Sequence, residues 1–215
     1  MAEIGRVYDR ADAGQQLADH LLEFANRDDV TVLALPRGGL PVAKEVSARL
    51  GTPIDVLIVR KLGVPGHPEL AMGAIATGGL LVVSDDLIRD LGIPRAIVEQ
   101  VAARERAELE RREIMYHGGR QPLAIRDRTV ILVDDGLATG ASMRAAILAA
   151  RQRRPATVVV AAPVGAPESC EDLRQVADRV VCPLTPEPFS AVGLWYEDFS
   201  QVTDEEVRRL LASIY

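Results

Sequence analysis

The chain has 215 residues, of which 48% are hydrophobic and 26% charged, so it has enough apolar mass for one globular α/β domain with a small appendage. Its formal net charge of −6 argues against nucleic acid as the main partner, because phosphate backbones are bound by a surplus of Lys and Arg. No stretch approaches the ~18 to 20 apolar residues of a membrane helix, and residues 1–14 lack the apolar segment of a signal peptide, so we expect a cytoplasmic location.

The first part of the chain predicts a helix followed by alternating strands and helices. The spacing of apolar residues favours a helix over residues 11–25. Short runs rich in β-branched residues predict buried strands over 30–35 and 54–59, and the segment 41–50 between them reads as a helix that ends before Gly51. This order implies a right-handed crossover and therefore a parallel sheet.

The middle of the chain departs from this alternation. Residues 60–79 are rich in Gly and Pro, and the segments 72–77 and 80–84 could form the two strands of a hairpin. Residues 94–112 are predicted to form a long charged helix with a solvated surface.

Strand and helix patterns alternate again toward the C-terminus. The predicted strands cover 129–135, 156–164 and 179–184, and the predicted helices cover 140–153, 168–176 and 203–211. The last helix opens with a capping box of Thr203 and Glu206. Cys170 and Cys182 have no zinc-ligand spacing, so both are expected to be buried or half-buried thiols.

The most informative segment is 130–142, which reads VILVDDGLATGAS. Its apolar residues predict a strand that ends at Asp134 and Asp135, and a loop of small residues then leads into a helix. Ligands of open α/β sheets bind at the carboxyl ends of the strands. The loop N–H groups, the helix N-terminus and the hydroxyls of Thr139 and Ser142 favour a phosphate, whereas two carboxylates suit a vicinal diol. A phosphorylated ribose has both groups.

Other interpretations fit this segment less well. A P-loop requires a Lys that is absent after Gly140, and a dinucleotide fingerprint requires GxGxxG, whereas the glycines here are spaced GxxxG. A simple helix cap would need one Asp and no run of small residues. A second acidic pair, Asp85 and Asp86, also follows apolar residues but lacks the loop, so it predicts an ordinary helix start.

Residues 130–142 resemble, over their full length, the signature that binds 5-phosphoribosyl-1-diphosphate (PRPP) in the type I phosphoribosyltransferases. The order of elements is most similar to a predicted, uncharacterised branch of that family. The resemblance implies an α/β fold with an open parallel sheet flanked by helices and a small C-terminal hood. It implies a PRPP-binding core over 1–185, with an enlarged loop and helix insertion near 60–120, and a hood over 186–215 that N-terminal residues could join.

The resemblance also implies which residues bind PRPP. The expected PRPP-binding residues are Arg37, Gly38, Gly39, Arg60, Asp134, Asp135, Gly136, Ala138, Thr139, Gly140, Ala141 and Ser142. Asp134 and Asp135 would bind the ribose hydroxyls and, with Lys61, are the expected catalytic residues. The loop at Arg37 would hold the diphosphate and contain a cis peptide bond between Arg37 and Gly38. Lys61 and the preceding Arg60 would belong to a mobile loop that closes over the diphosphate.

The activity implied by the resemblance is Mg²⁺-dependent transfer of the phosphoribosyl group to a nitrogenous acceptor with release of pyrophosphate, a pentosyl transfer of nucleotide metabolism. Trp195 and Tyr196 of the hood are the expected acceptor-binding residues, because planar acceptors stack on aromatic rings. No protein metal ligand is assigned, since Mg²⁺ would mainly bridge diphosphate and ribose oxygens. A PRPP-binding regulator without catalysis and a different sugar-phosphate enzyme stay open as alternatives. The acceptor, a homodimer and the role of His67 stay open as well.

Overall fold

The structure is a computed structural model that describes residues 6–214, without the side chains of Pro68 and Glu69. The first five residues of the expected core and the last residue of the expected hood lie outside the described residues. The helices are α1 (Arg10–Asp19), α2 (Gly39–Leu50), α3 (Asp85–Asp90), α4 (Arg95–His117), α5 (Ala141–Gln152), α6 (Pro167–Arg174) and α7 (Asp204–Ala212). The strands are β1 (Val30–Ala34), β2 (Ile54–Val56), β3 (Val59–Val64), β4 (His67–Ala76), β5 (Leu80–Val83), β6 (Thr129–Val133), β7 (Thr157–Ala161) and β8 (Arg179–Val181). None of the helices in this part of the chain combines the length and apolar character needed to cross a bilayer.

Five parallel strands form the main sheet in the order β2–β1–β6–β7–β8. Every residue of the two central strands β1 and β6 is buried, as their apolar sequences predict. The sheet confirms the predicted fold class, an open parallel sheet flanked by helices. After β1 the chain adds β2 on one side of this strand and later adds β6 on the other side. The direction in which strands are added therefore reverses between β1 and β6. Ligands of such sheets bind where the order reverses, at the carboxyl ends of the strands.

Helices cover both faces of the main sheet. On one face, residues of α1, α2, α4 and α7 share a buried apolar cluster with β1 and β6. On the other face, α5 and α6 pack against the same central strands. Because both faces are covered, the strands can be apolar on both sides, and the ligand-accessible part of the sheet is its carboxyl edge.

A second sheet occupies most of the region that the sequence predicts to be a Gly- and Pro-rich loop. It contains three antiparallel strands in the order β3–β4–β5. The predicted hairpin between 72–77 and 80–84 is confirmed. Gly78 and Gly79 belong to the three-residue loop between Ala76 and Leu80 and have φ of +83° and +71°, a conformation that favours glycine.

The single strand predicted over 54–59 is wrong, because the chain changes sheets inside it. The N–H of Leu57 donates to the carbonyl of Ala34 in the main sheet at 2.9 Å. The carbonyl of the next residue, Ile58, accepts at 2.9 Å from the N–H of Thr77, which directly follows β4 of the second sheet. The backbone groups of two successive residues are thus divided between the sheets, which ends β2 at Val56.

Two predicted helices have different limits in the structure. The helix predicted over 11–25 ends at Asp19, and a 3₁₀ turn follows at Leu22–Phe24. Three residues per turn place the buried Leu21 and Phe24 on the same side of this turn. The long charged helix α4 is also less solvated than predicted, because it continues to His117 and buries Val98 and Leu109 against the core.

Residues near both ends of the described chain form a small cluster at the carboxyl edge of the main sheet. Val7 and Tyr196 form a parallel bridge, and both pack with Ala13 and Val164. Beyond this cluster α7 begins as the capping pattern predicts, since the hydroxyl of its N-cap, Thr203, accepts from the backbone N–H three residues later at 3.1 Å.

Candidate functional site

The loop between β6 and α5 surrounds a small cavity at the carboxyl edge of the main sheet. The cavity has a volume of about 140 Å³ and is lined by Asp134 and by residues 136–143. Gly140 caps α5 with φ of +68°, so the unpaired N–H groups at the start of the helix belong to the same loop. The structure therefore brings together the residues that the sequence predicts to hold a phosphate.

This loop is fixed by the segment that follows β7. The N–H of Leu137 donates to the carbonyl of Val164 at 2.9 Å, and the N–H of Ala166 donates to the carbonyl of Leu137 at 2.8 Å. The hydroxyl of Ser169, in α6, donates to the carbonyl of Ala138 at 2.5 Å. These bonds hold the loop backbone in one arrangement, so its N–H groups need little reorganisation to meet an anion.

The two cysteines lie behind the segment that fixes the loop. A Cβ on Gly165 would lie 2.9 Å from Sγ of Cys170 and 3.0 Å from Sγ of Cys182, so both sulfur atoms approach the same glycine. Both cysteines are free, one buried and one half-buried, which confirms the prediction made for them.

The two aspartates that follow β6 have different surroundings. Asp134 lines the loop cavity, and its Oδ1 accepts from the backbone N–H of Asp135 at 2.9 Å. Oδ2 of Asp135 instead lies 2.8 Å from Nε of Arg10, and the two side chains are only 16% and 11% exposed. The carboxylates are adjacent in the chain, yet one faces the loop and the other is held by a cation.

Burial raises the pKa of Asp134 well above its ordinary value, and the neighbouring charge of Asp135 raises it further. The folded protein therefore binds this proton more tightly than the unfolded chain does. As a result, the contribution of Asp134 to the free energy of unfolding is most favourable at low pH and decreases as the pH rises from the ordinary Asp range through the raised value.

We expect the substitutions Asp134→Asn and Asp135→Asn to change stability in opposite directions at neutral pH. An amide at position 134 removes the need to bury a charge, so the free energy of unfolding should rise. An amide at position 135 loses the ion pair with Arg10, so the free energy of unfolding should fall by about 1–3 kcal/mol. Urea denaturation of both variants at pH 5 and pH 7.5 measures this difference, and equal effects of the two substitutions would contradict it.

Two glycines allow the loop after β1 to pack directly against the aspartates. A Cβ on Gly38 would lie 1.9 Å from Oδ2 of Asp135, and a Cβ on Gly39 would lie 2.6 Å from the carbonyl oxygen of Val133. Gly38 has ordinary helical dihedral angles, φ −61° and ψ −33°, so it is the space and not the backbone conformation that excludes a side chain. The predicted diphosphate loop and the predicted diol carboxylates are therefore in contact.

The cis peptide bond of this loop lies between Pro36 and Arg37, so the prediction of a cis bond between Arg37 and Gly38 is wrong. Gly38 already has helical dihedral angles as the N-cap of α2. The chain must complete its turn before the helix begins, which places the unusual bond one residue earlier.

The guanidinium of Arg37 lies beside α4 and α7. Its Nη1 is 3.8 Å from Oδ1 of Asp204, the first residue of α7. The hydroxyl of Tyr116 donates to the same carboxylate at 2.5 Å, and Nη2 of Arg111 lies 3.6 Å away. The hydrogen bond from Tyr116 lowers the pKa of Asp204, which keeps this partner of Arg37 ionised.

Arg60 and Lys61 belong to β3 and not to an irregular loop. Both line a cavity of about 580 Å³ between β3 and α4, together with Glu105 and with Ser142 of the loop after β6. Nη2 of Arg60 lies 2.6 Å from Oε2 of Glu105. The structure therefore brings these basic residues next to the end of the loop after β6, with Arg60 already paired to a carboxylate. His67 lines a different, mainly apolar cavity.

The two aromatic residues expected to bind an acceptor differ in exposure. Tyr196 is 2% exposed, and its hydroxyl donates to the carbonyl of Asp135 at 2.6 Å. Burial raises the pKa of this phenol, which keeps it a hydrogen-bond donor. Trp195 is half-buried, and its carbonyl accepts from the N–H of Val7 at 3.0 Å. Tyr196 thus has little free surface for a planar ligand, whereas part of Trp195 is accessible.

Arg10 is the site residue that sequence reasoning missed. It is the first residue of α1, far from the 130–142 motif, and only its charge distinguishes it in the sequence. Besides its ion pair with Asp135, its Nη1 donates to the carbonyl of Ser200 at 2.7 Å. Its guanidinium carbon lies 4.0 Å from the centroid of the Phe199 ring, within the range of a cation–π contact.

The carboxylates that could contact a metal ion in this site are those of Asp134 and Asp135. Within residues 6–214, side chains of Pro68 and Glu69 aside, no group of three or more His, Cys, Asp and Glu residues could hold a metal ion. Mg²⁺ at phosphate sites commonly uses one or two carboxylates together with water and substrate oxygens. The donor set therefore fits Mg²⁺ that is bound jointly with a diphosphate.

Comparisons with known proteins show the family of this chain. The family model described as a phosphoribosyl transferase domain matches residues 68–197, more than half of the chain. A Mycobacterium tuberculosis protein, named provisionally as a phosphoribosyl transferase, is 45% identical over 199 residues, or 93% of this chain and 45% of that protein. The chain thus spans less than half the length of this curated relative.

Further similarity comes from a solved structure and from a more distant relative. The crystal structure of TT1426 from Thermus thermophilus has a TM-score of 0.89 and 45% identity, and the match covers 97% of this chain and 98% of that chain. A hypoxanthine/guanine phosphoribosyltransferase of Methanohalophilus mahii is 24% identical over 95 residues, or 39% of this chain and 50% of that protein.

Proposed function

Because this chain belongs to the phosphoribosyl transferase domain family, we propose that it binds PRPP and transfers the phosphoribosyl group to a nitrogenous acceptor with release of pyrophosphate. The observation that supports this most directly is the junction at the carboxyl ends of β1 and β6. There the loop cavity, the aspartates and the glycine pair at 38 and 39 meet within van der Waals distance.

The loop after β6 would hold the 5-phosphate of PRPP. Its backbone N–H groups, the hydroxyls of Thr139 and Ser142 and the N-terminus of α5 supply donors and a favourable dipole. Four of the lining residues, Gly136, Ala138, Gly140 and Ala141, add little side-chain volume around the cavity. A phosphate fixed here would place the ribose ring toward Asp134, which lines the same cavity.

The aspartates would bind the ribose hydroxyls and stabilise the transition state. When the bond between C1 and the diphosphate breaks, positive charge develops on the ribose ring. The negative charge of Asp134 and Asp135 lies close to this position and favours that charge. Both side chains are fixed before the ligand arrives, by the bonds to Asp135 N–H and Arg10.

The loop after β1 and the strand β3 would hold the departing pyrophosphate. Gly38 and Gly39 allow its oxygens to approach the backbone closely, and Arg37, Arg60 and Lys61 supply positive charge. Arg37 and Arg60 would exchange their present partners, Asp204 and Glu105, for the diphosphate. Mg²⁺ held by the substrate and the aspartates would supply further positive charge to the leaving group.

The acceptor would bind under the hood, where Trp195 offers a partly exposed ring. We propose Tyr196 as a residue that positions Asp135, because its ring is buried and its hydroxyl is already bonded to that residue. The name of the M. mahii relative states hypoxanthine and guanine, which makes purine bases the first acceptors to test. A role in nucleotide metabolism, a cytoplasmic location and a homodimer stay predictions.

A PRPP-binding regulator without catalysis is the second candidate function. The observation that favours it is that Arg37 and Arg60, the two arginines expected on the diphosphate, are already paired with carboxylates. A regulator would bind PRPP and release no pyrophosphate with any acceptor.

Calorimetric titration tests the proposal. We expect PRPP to bind in the presence of Mg²⁺ and to bind more weakly without it, and ribose 5-phosphate to bind more weakly than PRPP, because it lacks the diphosphate. Pyrophosphate release across a panel of purine, pyrimidine and amine acceptors then separates a transferase from a regulator. Equal affinity for the two ligands would mean that the loop binds another sugar phosphate, and the transferase proposal would be wrong.

A further inference from the structure

The adjacent aspartates of this site are held by different parts of the molecule. Asp134 lies among local groups, the backbone N–H of its neighbour and the loop cavity. The Oδ2 atom of Asp135 lies 2.8 Å from Nε of Arg10. It also packs so closely against Gly38 that a Cβ on this glycine would lie only 1.9 Å from it. Asp135 therefore has much less freedom to turn toward a ligand.

Arg10 is itself held on three sides. It donates Nε–H to Asp135 and Nη1–H to the carbonyl of Ser200, and its planar group lies on the ring of Phe199 at 4.0 Å. The Phe199 ring in turn contacts the ring of Tyr196 at a centroid distance of 4.8 Å, and Tyr196 bonds to the carbonyl of Asp135. These contacts form a closed circuit that joins α1, the hood and the end of β6.

We propose that Arg10 is a positioning residue that makes the two aspartates unequal: it fixes Asp135 to the hood, whereas Asp134 is oriented only by local groups beside the loop cavity. The inference rests on the proposed function and extends it, because it names a residue outside the sequence motif that orients one member of the aspartate pair. Arg10 touches neither the loop cavity nor the reacting atoms, so it acts through Asp135.

The test compares Arg10→Gln, Arg10→Lys, Asp135→Asn and the double variant Arg10→Gln/Asp135→Asn. PRPP affinity is measured by calorimetry at neutral pH in the presence of Mg²⁺. Arg10→Gln is expected to weaken binding about tenfold, the size of effect that about 1.4 kcal/mol produces. Arg10→Lys, which keeps the charge beside Asp135, should recover most of the lost affinity.

Arg27→Gln is the matched control. Arg27 also pairs with a carboxylate, Asp29 at 2.7 Å, and also lies over an aromatic ring, Phe24 at 5.7 Å, but it contacts none of the site residues named above. This control should bind PRPP as the wild type does. The double variant should bind no more weakly than Asp135→Asn, because Arg10 acts through that carboxylate.

The outcomes separate this inference from the proposed function. Wild-type affinity in Arg10→Gln, or a loss that is additive with that of Asp135→Asn, would overturn the positioning role alone. A wild-type protein that does not bind PRPP would overturn the proposed function and this inference with it. If Arg10→Gln does not fold, Arg10→Lys decides the question: its affinity should stay near that of the wild type, and a loss as large as that of Asp135→Asn would overturn the role.

Discussion

The double substitution Asp134→Asn/Asp135→Asn is expected to lower both PRPP affinity and pyrophosphate release at least ~100-fold. The amides keep the size of the side chains but remove the negative charge that would stabilise the ribose ring as its bond to the diphosphate breaks. They also remove the carboxylate partner of Arg10. Calorimetry with PRPP and Mg²⁺, followed by a pyrophosphate-release assay with the acceptor found in the panel, measures both effects.

The chain contains its own control for this experiment. Asp85 and Asp86 also follow a strand, but they begin α3, where Ser84 is the N-cap and Asp86 pairs with Arg89. Asp85→Asn/Asp86→Asn removes the same number of charges from an exposed helix start and should leave PRPP binding unchanged. Near-normal pyrophosphate release in the variant of Asp134 and Asp135 would rule out the proposed catalytic role of this pair.

Replacing Gly38 by Ala is expected to lower PRPP affinity about 100-fold and the free energy of unfolding by about 1–3 kcal/mol. The added methyl group would lie 1.9 Å from Oδ2 of Asp135 and 2.6 Å from its Cγ, so either the carboxylate or the loop after β1 must move. A shifted carboxylate loses Arg10, and a shifted loop no longer approaches the diphosphate. Urea denaturation and calorimetry measure the two effects.

Gly118→Ala serves as the control for this glycine substitution. Gly118 ends α4 with φ of +56°, and a Cβ at this position would meet nothing within 4 Å. The substitution should therefore destabilise the protein by about 1 kcal/mol through backbone strain and leave PRPP affinity unchanged. If Gly38→Ala weakened binding no more than this control, the contact between the glycine loop and Asp135 would have no role in the ligand site.

The fold class and the geometry of the loop after β6 were predictable because their signals are contiguous in the sequence. The segment 130–142 contains a strand, two carboxylates, a small-residue loop and a helix start within one βα unit. The chain connectivity of such a unit fixes its local geometry, and short alternating elements imply a parallel sheet with its ligand site at the carboxyl edge. For the same reason the difference between Asp134 and Asp85 could be inferred from the residues that follow each of them.

The second sheet was only partly predictable. Gly and Pro in residues 60–79 suggested an irregular loop, but the backbone groups of β3 and β4 pair with each other over most of this region. Pairing between strands adds hydrogen bonds that no single segment reveals, so Arg60 and Lys61 lie on a strand beside α4. Local composition is a weak guide where such partners are available.

The sequence by itself determined that this chain has a parallel α/β sheet with a loop of small residues and two carboxylates at its edge. Only the tertiary structure decided that Arg10 binds Asp135 across 125 positions of the chain, that Asp204 and Glu105 hold Arg37 and Arg60, and that Tyr196 is buried. The physical reason is that an arginine can pair with any carboxylate within reach of its long side chain. Which carboxylate lies within reach depends on how distant helices pack, and the chain has many candidates of each charge.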